Sequence, residues 1–203
     1  MDYKTLIVPG LHNSGPDHWQ TWLEGHISCV SRVNQDDWRR PVISQWAKNV
    51  KDAIESSEER IILVAHSFGV LASIVAASVV PERIAGALYV APADPSRFSI
   101  TGERINQDSS ELETGLYDLM PKQKLGYPVI LAASTNDSCM PFKRTAWRSK
   151  KWGARLISLG DAGHVNSEAG FGRWLHGLEL YNDVLNRSRD NDREWNHLLR
   201  WAY

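Results

Sequence analysis

Six short runs of aliphatic and β-branched residues are spread along the chain: 5–9 (TLIVP), 28–33 (SCVSRV), 60–65 (RIILVA), 86–91 (GALYVA), 128–133 (PVILAA) and 154–159 (ARLISL). A strand with water on one face alternates apolar and polar residues. Near-continuous apolarity instead predicts strands buried on both faces, the habit of parallel sheets. Between these runs the spacing turns helical. PDHWQTWLEGH opens on Pro16 and sets Trp19, Trp22 and Leu23 on one side, while PVISQWAKNVKDAIESS repeats Ile43, Trp46, Ala47, Val50 and Ile54 at three- and four-residue steps. Further helices are predicted over 67–80 (ended by Pro81), 141–152 and 171–185, with a short one over 193–201. Strand and helix alternate throughout, which predicts an open α/β fold: about six mostly parallel strands, with helices on both faces.

A chain of 203 residues fits one domain, 1–203, and buries enough surface to need no disulfide or metal. One stretch breaks the alternation, the polar segment from Asp94 to Gln123. It reads either as a lid or surface excursion beside a site or as a disordered loop. With 23 basic and 24 acidic residues the net charge is −1, which leaves no footprint for nucleic acid or an anionic membrane and favours a small substrate. Cys29 and Cys139 lack metal-ligand spacing, and no charged leader or long apolar run occurs. A cytoplasmic protein with reduced thiols and no bound metal is expected. Nine tryptophans suit core packing, although an aromatic pocket near Trp19 and Trp22, with His12, is the alternative.

In open parallel sheets, ligands sit beyond the carboxyl ends of the strands, so the residues there are the ones to inspect. After 60–65 come His66, Ser67, Phe68 and Gly69, and then a helix. This is the context of a nucleophile elbow, which needs small residues two before and two after the serine. Ala65 and Gly69 meet that need, although the usual G-x-S-x-G signature has glycine at both places. A serine hydroxyl requires a base, and the base a carboxylate. Asp137 follows the fifth run and His164 the sixth, in the chain order Ser, Asp, His of α/β hydrolases. Other readings compete: Ser67 as a helix cap, Asp137 as a cap for the helix near Pro141, and Asp94 as the acid. His66, beside the elbow, reads as structural. The backbone N–H groups of Phe68 and of Leu11 form the expected oxyanion hole, with His12 as the fallback for the second donor. No phosphate-cradling glycine motif is present, so no nucleotide cofactor is expected.

The segments LIVPGLHNSGPDHWQTW, LVAHSFG, STNDSCMP and DAGHVNSEAGFG, in that order, resemble the small serine hydrolases of the retinoblastoma-binding protein 9 group (YdeN-type), over roughly residues 4 to 185. The resemblance implies a reduced α/β-hydrolase fold without the first antiparallel strands of larger members. It also implies the nucleophile at Ser67, the acid at Asp137 and the base at His164, with hydrolysis of small esters or activated amides. Two features depart from the pattern: Ala65, and a tail helix over 187–203 expected to dock on the body or on a second subunit. A carboxylesterase forming an acyl-enzyme is therefore expected. An amidase, thioesterase or acyltransferase with the same triad, or a protein-binding module with an idle one, remain alternatives, and monomer or homodimer is left open.

Overall fold

The computed structural model describes residues 3–105 and 115–201, so part of the expected 94–123 excursion lies outside the described residues. Six strands form one sheet: β1 (Tyr3–Val8), β2 (Val30–Arg32), β3 (Arg60–His66), β4 (Ile84–Val90), β5 (Val129–Ala133) and β6 (Arg155–Ser158). All neighbouring pairs are parallel, in the order β2-β1-β3-β4-β5-β6. The strands are those expected from the apolar runs. At the two edges, β2 and β6 are shorter and only partly covered, because an edge strand has one neighbour instead of two.

Among the described residues five α-helices pack on this sheet: α1 (Trp19–Glu24), α2 (Ile43–Glu55), α3 (Phe68–Ala77), α4 (Phe142–Trp152) and α5 (Leu175–Trp201). Side chains alternate across each strand. Ile61, Leu63 and Ala65 of β3 join the core under α2 and α3, whereas Ile62 and Val64 join the opposite core with Trp19 and Leu23 of α1 and Val184 of α5. A fixed crossover hand places connections that run in opposite directions on opposite faces. The direction reverses between β1 and β3. That switch point is where a doubly wound sheet opens a crevice at its carboxyl edge.

The C-terminal region differs from expectation. Instead of separate helices over 171–185 and 193–201, α5 runs unbroken from Leu175 to Trp201. The intervening residues RSRDND look like a linker, yet their inward positions are anchored: the buried Ser188 packs against Gly86 of β4 with its hydroxyl donating back to the Val184 carbonyl (2.9 Å), and Asp192 accepts from the Tyr3 hydroxyl (2.9 Å) and pairs with Arg60. The expected tail helix is thus the outer half of α5, docked on β1 and β3 as far as Asp192. No helix among the described residues is long and apolar enough to cross a membrane.

Candidate active site

Beyond β3, Ser67 takes φ 55° and ψ −125°, and α3 begins at the next residue. A non-glycine residue holds a positive φ only where the surroundings impose it. The surroundings here are tight. A Cβ at Gly69 would lie 2.4 Å from the carbonyl oxygens of Val8 and Pro9, and one at Gly10 would lie 2.7 Å from the Ser67 Cβ. The Ala65 methyl, by contrast, is simply part of the core beneath α3. Smallness is therefore absolute at 10 and 69 and relaxed at 65, which is why the alanine is tolerated. Ser67 does not cap α3, since its side chain makes no capping hydrogen bond. Its Oγ lies 2.8 Å from His164 Nε2 instead.

On the far side of that ring, His164 Nδ1 lies 2.9 and 3.0 Å from the two Asp137 oxygens. The Asp137 side chain is 3 % exposed, and its Oδ1 also accepts the Cys139 backbone N–H at 2.7 Å. Asp137 is not the cap of α4, whose N-cap position is Pro141. Asp94, the competing acid, is buried but otherwise engaged: it accepts from the Ser96 N–H and hydroxyl and pairs with Arg144. The three strand-end residues Ser67, Asp137 and His164 thus form one hydrogen-bonded chain at the carboxyl edge. An imidazole placed this way can take the serine proton while the carboxylate fixes its tautomer.

Burial works to lower the His164 pKa, but the Asp137 carboxylate and the Cys139 thiol outweigh it, and the value is pushed up to about 9. The partner effect on Cys139 is the reverse, with His164 drawing the thiol below its ordinary value. Asp137, Cys139 and His164 offer ligand atoms within 4.8 Å of one another. Two of these members, the Asp137 carboxylate and His164 Nδ1, already bond each other.

The loop carrying His164 is held from behind, in part by two residues that sequence reasoning did not single out, Ser134 and Asn136. Ser134 Oγ accepts the Ala162 N–H (2.9 Å) and donates to Asn136 Oδ1, which also accepts the Gly163 N–H at 2.7 Å. His66 Nε2 lies 2.8 Å from the His164 carbonyl oxygen and, protonated there, donates to it. Full burial drives the His66 pKa well below 6.5, so the ring stays neutral and structural, as its place beside the elbow suggested. The indole N–H of Trp19 donates to the carbonyl of Val165 (2.9 Å), a β-branched residue at φ 51°. The only sequence signal of Ser134 and Asn136 is position, within three residues of Asp137.

A cavity of about 660 Å³ opens in front of Ser67, with Leu11, His12, Arg97, Phe98, Ile105 and Cys139 in its wall. Residues 94–105 of the expected 94–123 excursion therefore contribute a wall of the site, containing a short helical turn at Pro95–Arg97 and a Phe98–Arg104 bridge. His12 lines the cavity as expected, but Trp19 and Trp22 do not. Trp19 is fully buried in the core under α1 and α5, and the half-buried Trp22 stacks on His26 with ring centres 4.1 Å apart. An aromatic residue on an amphipathic helix goes to whichever face meets the sheet, and for α1 that face points away from the crevice.

For an oxyanion, the N–H groups of Phe68 and Leu11 have no hydrogen-bond partner among the described residues. The His12 N–H is taken by the Trp38 carbonyl at 2.8 Å, which removes the fallback donor.

A family model described as serine hydrolase matches residues 5–183. No curated protein matches the chain. Among solved structures it is similar to a YdeN-like hydrolase from Pectobacterium atrosepticum: 30% identity, 93% of this chain and 91% of that one covered, TM-score 0.77. The ydeN gene product of B. subtilis shares 16% identity over 91% of this chain and 100% of its own, with a TM-score of 0.69. Est1E from Butyrivibrio proteoclasticus, bound to ferulic acid, shares 13% over 92% of this chain and 89% of its own, also at 0.69. With the six-stranded parallel sheet, these matches place the chain in the serine hydrolase family, as a YdeN-type member with a reduced α/β-hydrolase fold.

Proposed function

We propose that this hydrolase is a carboxylesterase for small esters, with Ser67 as nucleophile, His164 as base and Asp137 as its orienting acid. The observation that carries the reading is the unbroken chain Ser67 Oγ, His164 Nε2, His164 Nδ1, Asp137, at 2.8 and 2.9 Å, beside two N–H groups that have no partner among the described residues. His164 removes the Ser67 proton as Oγ attacks the ester carbonyl, and the resulting oxyanion accepts from the N–H of Phe68 and Leu11. The protonated imidazole then gives that proton to the leaving alkoxide, and an acyl-enzyme remains. Water, deprotonated by His164, attacks the acyl carbonyl, and Ser67 leaves with the proton returned. The cavity of about 660 Å³ suits a small acyl or alcohol group. Incubation with a fluorophosphonate should add one phosphonyl group, located on Ser67 by mass spectrometry, and p-nitrophenyl acetate should be turned over. A protein that does neither is not a serine esterase.

The pH dependence follows from His164. Only the neutral ring accepts a proton, and its pKa is pushed up to about 9. The kcat/KM of the wild type should therefore climb with rising pH, with a midpoint above the ordinary histidine value of about 6.5. Cys139 contributes to that elevation, so Cys139→Ala should move the midpoint toward acid. A midpoint at or below 6.5 in the wild type, or no movement in the variant, contradicts this account of the base.

Gly10 tests the oxyanion loop. A methyl there overlaps the Ser67 Cβ at 2.7 Å, so Gly10→Ala must displace either the loop carrying the Leu11 N–H or the nucleophile itself. Losing one oxyanion donor costs on the order of 10²–10³-fold in kcat. The expected pattern is a fall of that size in kcat with a much smaller change in KM, measured by steady-state kinetics on p-nitrophenyl acetate. An unchanged kcat would show that the loop tolerates displacement.

A further inference from the structure

On the other side of Asp94 from the Ser67 cavity lies a second cleft of about 390 Å³, walled by Tyr117 and by Lys143, Arg144, Trp147 and Arg148 of α4. Arg148 is unusual in it. The residue is only 5 % exposed, yet no hydrogen bond or ion pair reaches its guanidinium among the described residues. What surrounds it is aromatic: its Cζ lies 5.1 Å from the ring centre of Tyr117, 5.9 Å from that of Trp147 and 5.5 Å from that of Trp152. Ring faces attract the charge but supply no acceptors for five N–H donors, and buried charges are ordinarily paired.

The one carboxylate that lines the cleft among the described residues, Asp94, is already committed to Arg144 and to Ser96. Lys143 has no hydrogen bond or ion pair among the described residues, so the cleft presents two uncompensated cations. Burial and, after it, the Arg144 charge lower the Arg148 pKa, against opposing pulls from Asp94 and Tyr117. The first turn of α4 adds to the imbalance, since it carries no acidic residue at the positive end of the helix dipole.

We propose that this cleft is a binding site, separate from the Ser67 centre, for a phosphomonoester dianion attached to a flat organic group. The guanidinium of Arg148 is a rigid fork that matches two phosphate oxygens, and Lys143 meets a third as a point charge. A dianion balances two cations where a single carboxylate leaves one unpaired. The flat group lies against Trp147, a ring 48% exposed beside the cleft.

Isothermal titration calorimetry with phenyl phosphate tests the site in the full-length protein at low ionic strength. Saturable one-to-one binding is expected, tighter than for inorganic phosphate and at least about tenfold tighter than for benzoate. Affinity should fall at least about tenfold in Arg148→Met and again in Lys143→Glu, charged hydrogen bonds being worth about that much. It should be unchanged in Ser67→Ala, so the result does not depend on the esterase reading. If Arg148→Met does not fold, the exposed Lys143 position decides alone. The proposal is overturned if phenyl phosphate does not bind, if benzoate binds as well, or if Lys143→Glu binds like the wild type.

Discussion

Ser67→Ala is expected to lower kcat/KM for p-nitrophenyl acetate by roughly 10⁴–10⁶-fold and to abolish fluorophosphonate labelling, while the fold and melting temperature stay close to those of the wild type. The size of the effect follows from removing the only atom that bonds the acyl group. Stability should hold because the strain at this residue belongs to the backbone. The φ of 55° is imposed by β3, α3 and the approach of Pro9 and Gly10, and alanine meets the same constraint as serine. The hydroxyl contributes one hydrogen bond, to His164 Nε2, in a cavity where water can take its place. A residual rate within tenfold of the wild type would mean that the ester is hydrolysed elsewhere. A collapse of stability alongside the rate would instead make Ser67 a structural residue of the turn.

How much of this was legible in the sequence depends on which force placed each residue. The sheet was readable because runs such as 60–65 are buried on both faces, and burial on both faces leaves an unbroken apolar signature. The expected order of Ser67, Asp137 and His164 was readable because chain order and strand ends fix positions before any side chain is placed. That the expected tail helix continues α5 without a break was not readable. Its interior-facing residues, Ser188 and Asp192, are polar, and they hold the helix down through partners that lie far away in sequence, at Gly86, Tyr3 and Arg60. The choice between Leu11 and His12 as oxyanion donor could not be made either, because it turns on the Trp38 carbonyl that captures the His12 N–H. Trp19 misled for a related reason: residue type says that an indole will be covered, not which side of the helix will cover it. Its service to the site comes instead through a hydrogen bond to Val165, behind the imidazole.

Asp137→Asn is expected to reduce kcat on the order of 10⁴-fold with little change in KM, whereas Asp94→Asn costs less than about tenfold. The two aspartates each follow a strand, and each is almost fully covered at the side chain, 3 % exposed for Asp137 and 2 % for Asp94. Burial therefore does not distinguish them, but their partners do. Asp137 faces His164 Nδ1 with both oxygens, so a neutral amide that donates toward this nitrogen favours the tautomer with its proton on Nε2, unable to accept from Ser67. The amide also loses the charge that steadies the imidazolium formed during attack, and the His164 pKa should fall accordingly. The surviving activity of Asp137→Asn should thus show its pH midpoint displaced toward acid. Asp94 makes no hydrogen bond to His164, and its loss acts on Ser96 and Arg144, which line the neighbouring cleft. Steady-state kinetics of both variants across pH 5 to 10 separate the possibilities. If Asp94→Asn is the variant that loses the four orders of magnitude, the acid has been assigned to the wrong strand end, and the geometry around His164 must rearrange when substrate binds.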